Sequence, residues 1–288
     1  MTPAQRIRDL VRQPEPLLMA GVYDALSAKI ATEAGFEVIF VSGYSVAATA
    51  LGEPDFGVLT QTEITATARA VCNATAIPVL IDCDTGYGNA INVIRTVHDM
   101  QRAGAAGIFL EDQVWPKRCG HMRGKRVIPV DEQLGKLRAA LDTRNPDELF
   151  VVARTDARAA VSLDEAIRRG QAFRDLGVDA VFVEAPESVD ELRAVARALP
   201  GVPLVANMVE QGRTPLLTRD ELRDLGFQMI VCPLVGLLAA AKALREAYQH
   251  LRAHGTTRDM LDRLLGFEEF HALIDLEAKY ALDAKYVT

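Results

Sequence analysis

Short apolar segments alternate with amphipathic segments along most of the chain. Eight of the apolar segments are six or seven residues long and rich in Val, Ile, Leu or Phe. They lack a strict alternation of apolar and polar positions, which is typical of parallel strands covered on both faces. The predicted strands are 17–22, 38–43, 78–84, 107–112, 149–155, 180–185, 203–208 and 229–234.

Amphipathic helical patterns separate these strands, at 25–34, 91–103, 163–176, 189–199 and 237–251. Ser162 and Thr218 each stand three residues before a glutamate, which indicates a capping box at a helix start. Eight strand–helix repeats in about 250 residues predict a (β/α)8 TIM barrel. A doubly wound open sheet is the alternative, but it usually has fewer strands and a glycine-rich first turn, which residues 21–24 do not supply.

Two segments exceed what a barrel needs. Residues 113–130 join the fourth strand to its helix, and eighteen residues is long for such a connection, which indicates a lid or binding loop. Residues 256–288 show further amphipathic helix, which either packs on its own barrel or docks on another subunit. We therefore predict a barrel over 1–255, with a gating loop at 113–130, and a C-terminal helical extension over 256–288.

Composition and charge exclude several classes of protein. The 288 residues carry a net charge of −7, whereas a general nucleic-acid surface is normally basic. No apolar run approaches the ~20 residues of a membrane span, and the polar start lacks a signal-peptide hydrophobic region. The four cysteines are widely spaced and form no CxxC pair, so we expect reduced thiols and a cytoplasmic protein. With nucleic acid and membrane disfavoured, we expect the partner to be a small molecule.

Polar side chains follow nearly every predicted strand. In a barrel of this type functional groups lie at the C-terminal ends of the strands, so these side chains are expected to meet at one rim. They are Tyr23, Asp24, Ser42, Asp82, Asp84, Glu111, Asp112, Arg154, Asp156, Glu184 and Asn207. A barrel that served only as a scaffold would not need such a ring.

Three of these carboxylates indicate a metal site. Asp82 and Asp84 are two residues apart and therefore project to the same side, and Glu111 can converge with them from the next strand. Carboxylates that meet at one rim repel each other unless a cation lies between them, and oxygen ligands suit Mg²⁺ or Mn²⁺. For either aspartate alone, a capping role in an ordinary strand-to-helix turn is the alternative.

The loop 113–130 holds the only local concentration of positive charge, namely Lys117, Arg118, Arg123, Lys125 and Arg126. It is either a solvated loop or a basic lid over a small anion. Cys119 lies among these residues, and nearby cations favour its thiolate and tune its acidity. A surface cysteine without a role is the alternative.

Three further rim residues could bind a carboxylate. The guanidinium of Arg154 is well shaped to bind a carboxylate through two hydrogen bonds, although a structural pair with Asp156 or Glu184 is equally compatible with its position. Glu184 and Asn207 could orient a substrate carboxylate or the arginine, or could be internal hydrogen-bond partners.

In combination and order, these motifs resemble the isocitrate lyase/phosphoenolpyruvate mutase superfamily along essentially the whole chain. Through the cysteine in this loop, the chain resembles the lyase branch of the superfamily, especially its 2-alkylmalate lyase/oxaloacetate hydrolase group. In the same feature it also resembles carboxyphosphonoenolpyruvate phosphonomutases. The matching segments are 42–45 (SGYS), 52–57 (GEPDFG), 82–88 (DCDTGYG), 110–113 (LEDQ), 117–121 (KRCGH), 153–157 (ARTDA) and 206–210 (ANMVE).

The resemblance implies a set of site residues and an assembly. It implies a homotetramer, a dimer of dimers, whose last helix is exchanged between subunits. Asp84 would hold Mg²⁺ directly, with Asp82, Glu111 and Asp55 acting mainly through water. Ser42, Gly43, Tyr44 and Arg154 would bind an α-keto acid fragment. Gly120, His121, Glu184 and Asn207 would bind the other carboxylate or position the gate. Lys117, Cys119 and His121 belong to the implied mobile gating loop, and with Arg154 they complete the expected catalytic set.

The activity that the resemblance implies is that of a Mg²⁺-dependent carbon–carbon lyase. It would cleave a 2-hydroxy dicarboxylate, of the 2,3-dialkylmalate or 2-methylisocitrate type, to an α-keto acid and a carboxylate. The alternatives are an oxaloacetate hydrolase or decarboxylase and a phosphonomutase. A non-catalytic barrel that binds a keto acid is a remote alternative, because a pure binder needs no positioned acid such as Cys119.

Overall fold

The computed structural model describes residues 1–120, 122 and 124–287. Eight parallel strands, all within residues 1–235, close into a barrel in chain order, so the predicted fold is confirmed. Each predicted strand is present and shortened by at most two residues at either end. The strands are β1 (Leu17–Val22), β2 (Ile39–Val41), β3 (Val79–Asp82), β4 (Gly107–Glu111), β5 (Phe150–Thr155), β6 (Ala180–Val183), β7 (Leu204–Asn207) and β8 (Met229–Cys232).

Helices follow the strands as predicted. Those of this unit are α1 (Pro3–Val11), α2 (Ala25–Glu33), α3 (Gly43–Val46), α4 (Gln61–Ala74), α5 (Ala90–Ala103), α6 (Val130–Thr143), α7 (Ala157–Ala160), α8 (Leu163–Leu176), α9 (Val189–Ala198) and α10 (Arg219–Leu225), with a π-helical turn at Ala47–Leu51. Helix α1 precedes the first strand and was not predicted. A capping box between Thr2 and Gln5 starts it, and its Ile7 and Val11 pack with the residues inside the barrel.

Alternation along the strands divides the core into two layers. One set of side chains faces the helices, and the other fills the barrel. Three phenylalanines pack edge to face in the inner layer, with ring centroids 4.8 Å apart for Phe40 and Phe109 and 6.1 Å apart for Phe109 and Phe182. Such aromatic pairs stabilise the core beyond the burial of their area.

The same alternation places the rim residues. Ser42, Glu111 and Glu184 each stand two positions after one of these phenylalanines, so they continue the inward-facing series beyond the aromatic layer. Arg154 follows Val152 in the same way, and strand pairing sets it beside Glu111. The polar ring therefore lies on an aromatic floor at the C-terminal end of the barrel.

Residues 236–288 form a second compact unit. It contains α11 (Val235–His254, which starts one residue earlier), a 3-10 helix (Arg258–Arg263), α12 (Phe267–Leu273) and α13 (Leu276–Tyr286). This unit includes α11, in which Glu246 lies 2.6 Å from Arg263 of the 3-10 helix, whereas the predicted extension begins at residue 256. The exchange of the last helix between subunits stays a prediction. In the described part of the chain, no helix combines the length and apolarity needed to cross a bilayer.

Candidate active site

Asp82 and Asp84 converge at the rim, as their spacing predicts. Asp84 has a left-handed backbone (φ 47°), which aspartate tolerates better than most residues, and it is buried. The backbone N–H of Gly43 donates to Asp82 Oδ2 at 3.3 Å. A Cβ atom at Gly43 would lie 3.0 Å from that oxygen and 3.3 Å from Asp84 Oδ1, so both carboxylates press against one glycine.

Lys117 enters this carboxylate cluster from the loop 113–130. Its Nζ lies 2.7 Å from Asp55 and 2.7 Å from Asp84 Oδ1, and all three side chains are buried. Burial raises the pKa of Asp84 to about 7, against the opposing charge of Lys117. Burial alone would lower the pKa of Lys117, but the charges of Asp84 and Asp55 hold that pKa well above its usual value. Lys117 is therefore an ammonium that offsets part of the negative charge.

The cluster still has acceptor capacity for a cation. Glu111 is buried, and neither of its oxygens accepts a hydrogen bond from a described donor, although Arg154 Nε lies 3.2 Å away. Burial raises the pKa of Glu111 well above its usual range, and Arg154 only partly opposes this. Among the described residues no three side chains form a ready-made ligand cage. The residues therefore fit Mg²⁺ bound through one or two carboxylates with water completing its shell.

Carboxylates surround Arg154. It donates from Nε to Asp156 Oδ2 at 2.9 Å and from Nη2 to Asp156 Oδ1 at 3.1 Å, and Nη2 lies 3.2 Å from Glu184 Oε2. Its guanidinium also lies 5.2 Å from the ring centroid of Phe182. Asn207 in turn donates to Glu184 at 3.2 Å. The structural pairing considered for Arg154 is thus present, and it fixes the guanidinium at the rim.

The described residues of the loop 113–130 form two arms that pair near the base of the loop and fold over the rim. An antiparallel bridge joins Gln113 to Val127 at its base, and the N–H of Cys119 donates to the carbonyl of Asp55 at 3.1 Å near its tip. Among its basic residues Lys117 and Lys125 are buried and Arg126 is exposed. Arg123 and His121, the latter a predicted site residue, lie outside the described residues.

A cavity of about 40 Å³ lies between this loop and the barrel. It is lined by Phe40, Ser42, Tyr44, Asp55, Asp82, Cys119, Gly120, Arg154, Phe182, Glu184, Asn207, Val209, Val231, Pro233 and Leu234. Most predicted site residues thus share one space. That volume has room for roughly three water molecules, so a dicarboxylate needs the loop to move.

A larger depression of about 660 Å³ lies at the other end of the barrel, where β1 begins. Its lining includes Glu15, Leu17, Phe36 and Arg219. The side chains able to do chemistry converge on the smaller cavity, and functional groups of barrel enzymes lie at the C-terminal ends of the strands. We therefore assign the site to the smaller cavity.

A buried hydrogen-bond network around Asp112, next to the site, was not predicted from the sequence. Asp112 accepts hydrogen bonds from the N–H of Asp156 at 2.9 Å, Thr155 Oγ1 at 2.7 Å and Arg169 Nη1 at 2.8 Å. It thereby fixes Asp156, which holds Arg154. The sequence placed Asp112 and Asp156 at the rim, but Arg169 follows Arg168 on a polar helix face and gave no signal of its burial.

Replacing Arg169 by alanine should lower the free energy of unfolding by about 3–5 kcal/mol, because it leaves the buried Asp112 without its cation. Arg168→Ala removes the same charge from the neighbouring exposed position, where an ion pair with Glu165 is screened by water, and should change stability little. Urea denaturation of both variants measures the difference, and equal effects would show that the Asp112 network does not stabilise the fold.

Comparison with known proteins agrees with the geometry. A family model described as phosphoenolpyruvate phosphomutase matches residues 7–252. The chain is 48% identical to a chloroplastic carboxyvinyl-carboxyphosphonate phosphorylmutase of Arabidopsis thaliana, covering 98% of this chain and 84% of the relative. It is also 48% identical to the petal death protein of Dianthus caryophyllus, covering 96% of this chain and 87% of the relative.

Two further matches concern one activity. The chain is 41% identical to the 2,3-dimethylmalate lyase of Eubacterium barkeri, covering 100% of this chain and 99% of the relative. A crystal structure of a 2,3-dimethylmalate lyase superposes with a TM-score of 0.93 at 35% identity, covering 100% of this chain and 96% of that one. Fold and sequence thus agree along the length of the chain.

Proposed function

Because this chain belongs to the isocitrate lyase/phosphoenolpyruvate mutase superfamily, we propose that it is a carbon–carbon lyase acting on a 2-hydroxy dicarboxylate. The observation that carries the proposal is that Cys119 and Arg154 line one cavity beside a buried carboxylate cluster. This arrangement combines a proton donor, an anion-binding group and a place for a cation. The 41% identity to a 2,3-dimethylmalate lyase supports it.

The cavity wall favours an alkyl-substituted substrate. Phe182, Val209, Pro233 and Leu234 form an apolar side, and Arg154 is the sole cation among the described residues that line the cavity. A 2,3-dialkylmalate presents alkyl groups and two carboxylates, which suits this wall. A 2-methylisocitrate carries a third carboxylate and would need a further cation. We therefore propose dialkylmalates as first candidates and 2-methylisocitrate as the second, supported by a 40% identical 2-methylisocitrate lyase of Bacillus subtilis.

The residues of the barrel rim would hold the half of the substrate that becomes the keto acid. Ser42, Gly43 and Tyr44 would bind this fragment, and Arg154 would bind its carboxylate with charge-assisted hydrogen bonds. Mg²⁺ (or Mn²⁺), when held by Asp84, would supply the Lewis acidity that makes the 2-hydroxyl easier to ionise.

The remaining members of the cluster would act around that ion. Asp82, Glu111 and Asp55 would orient its water molecules, and Lys117 would offset the negative charge that remains. The resemblance implies these roles for the three carboxylates, and two observations support them: Asp55 and Glu111 are buried, and Lys117 Nζ lies 2.7 Å from both Asp55 and Asp84. Without such cations the cluster would carry an uncompensated buried charge, which is costly.

The bond rearrangement needs no further reactant. A general base takes the proton of the 2-hydroxyl, the C2–C3 electron pair moves onto the carboxylate attached to C3, and C2 becomes a keto carbon. Gly120, Glu184 and Asn207 would bind and orient that second carboxylate, and the prediction that His121 joins them stands. Cys119 then donates its proton to C3 as general acid, and the closed loop excludes water from the carbanion.

Release of α-keto acid from a substrate panel tests this proposal. The panel contains 2,3-dimethylmalate, 2-methylisocitrate, isocitrate, oxaloacetate and phosphonopyruvate, each assayed with Mg²⁺ and with EDTA. We expect pyruvate from 2,3-dimethylmalate, lost in EDTA. Turnover of oxaloacetate or phosphonopyruvate alone would overturn it.

Phosphonate chemistry is the second candidate. The 48% identity to a carboxyvinyl-carboxyphosphonate phosphorylmutase over 98% of this chain favours it. Phosphonopyruvate carries its phosphonate on C3, where a dialkylmalate carries its second carboxylate, so both substrates bring an anionic group to that part of the cavity. The phosphonopyruvate member of the panel separates the two chemistries.

A further inference from the structure

Lys125 is a buried lysine in an otherwise exposed stretch of the loop. Its side chain is 1% exposed, whereas Gly124 and Arg126 on either side are exposed. An ammonium taken out of water destabilises the fold unless it is paired and hydrogen-bonded. The position of Lys125 therefore has to be explained by its partners.

Those partners lie on two different parts of the molecule. Nζ of Lys125 donates to the carbonyl oxygen of Gly120, at the tip of the loop, and to Asp156 Oδ1 at 2.9 Å, just beyond β5. Asp156 is itself held by Asp112 and also binds Arg154. One ammonium thus joins the loop tip to the carboxylate that positions the substrate-binding arginine.

The loop tip needs such a support because it lies directly on the site. A Cβ atom at Gly120 would be 2.5 Å from Cδ of Glu184 and 2.7 Å from Nη2 of Arg154, so the backbone there packs against both side chains. Cys119, one residue earlier, lines the cavity. A shift of the tip by about 1 Å would displace the proposed acid, and displacements of that size can cost about 10²-fold in rate.

We propose that Lys125 is the latch of the loop 113–130, a positioning residue that holds Gly120 and Cys119 in the closed arrangement by joining them to Asp156. This proposal rests on the proposed function only in taking the loop as the lid over the substrate. Lys117 cannot replace Lys125, because it binds Asp55 and Asp84 on another side of the site. Opening the loop at its tip then requires breaking the bonds of Lys125 in addition to those of Lys117, and closing it restores the contacts around Arg154.

Amide hydrogen exchange of the full-length protein, without substrate, tests the latch in Lys125→Met. We expect faster exchange at the loop tip, where the N–H groups of Cys119 and Met122 are bonded, and unchanged exchange at the base, where Val114 and Ile128 are bonded. The matched control is Arg126→Met, which removes the same charge from the next, exposed residue and should exchange as the wild type does. Faster exchange throughout the barrel in Lys125→Met would indicate general destabilisation and overturn the proposal.

A second variant tests the latch without removing the buried charge that Lys125→Met removes. Gly120→Ala places a methyl group against Glu184 and should release the tip in the same way, with Lys125 intact. In steady-state assays Lys125→Met should lower kcat about 10–100-fold with a much smaller change in KM, and Arg126→Met should change neither. Wild-type protection of the tip in Lys125→Met would refute the latch. Because the exchange needs no substrate, that outcome is separate from failure of the lyase proposal.

Discussion

Cys119→Ser should lower kcat by about 10²–10⁴-fold, the range that a positioned general acid contributes. The serine hydroxyl is nearly the same size as the thiol, so the loop keeps its contacts, but it is a far weaker acid. The carbanion would therefore wait for a proton from solvent that the closed loop excludes. Binding of pyruvate, measured by isothermal titration calorimetry in the presence of Mg²⁺, should stay close to that of the wild type.

The control for this variant is Cys72→Ser. Cys72 lies on α4, away from the cavity, and burial raises the pKa of its thiol to about 11. It should therefore retain wild-type turnover. Near-wild-type turnover in Cys119→Ser would remove the thiol from the mechanism, and loss of pyruvate binding would mean that the loop geometry, and not the acid, had been changed.

Asp84→Asn should weaken Mg²⁺ binding more than about 100-fold and abolish turnover at millimolar Mg²⁺. Asparagine has the same shape and also tolerates the left-handed backbone of position 84, so the change removes charge and little else. Asp82→Asn is the matched comparison two residues earlier. If Asp82 orients the ion only through water, its replacement should weaken Mg²⁺ binding by about 10–100-fold, the usual effect of losing a residue that contacts the metal ligands and not the metal.

Titration calorimetry of both variants with Mg²⁺ measures the difference. Trp115 is the one tryptophan in the chain and lies 6.0 Å from the ring of Tyr87, so its fluorescence gives a second signal from the same loop. Equal losses in the two variants would assign direct contact to both aspartates. Unchanged affinity in Asp84→Asn would place the ion elsewhere.

The barrel was predictable because its strands are buried on both faces. Such strands must be apolar along their length, so eight short apolar segments were visible directly, and Leu17–Val22 was predicted to the residue. The rim residues were predictable for the same reason. Each polar side chain that follows an apolar strand continues an alternating series, and the convergence of Asp82 with Asp84 follows from their spacing.

What could not be predicted depends on contacts between distant segments. Lys125 stands between a glycine and an arginine, a context typical of solvent-exposed residues. Its hydrogen bonds to Gly120 and Asp156 are visible only in the folded structure. The burial of Arg169 could not be predicted for the same reason, because several of its neighbours on the helix are charged. The grouping of α11 with the C-terminal helices also depends on such contacts, since its amphipathic pattern resembles that of the helices that cover the barrel.

Cleavage of 2,3-dimethylmalate in D₂O, followed by proton NMR, tests the central claim most directly. The account predicts equal amounts of pyruvate and propionate, with one deuterium at C2 of the propionate, and no product in EDTA. Intact dimethylmalate, in a preparation that converts oxaloacetate to oxalate and acetate or that rearranges a phosphonate, would contradict it.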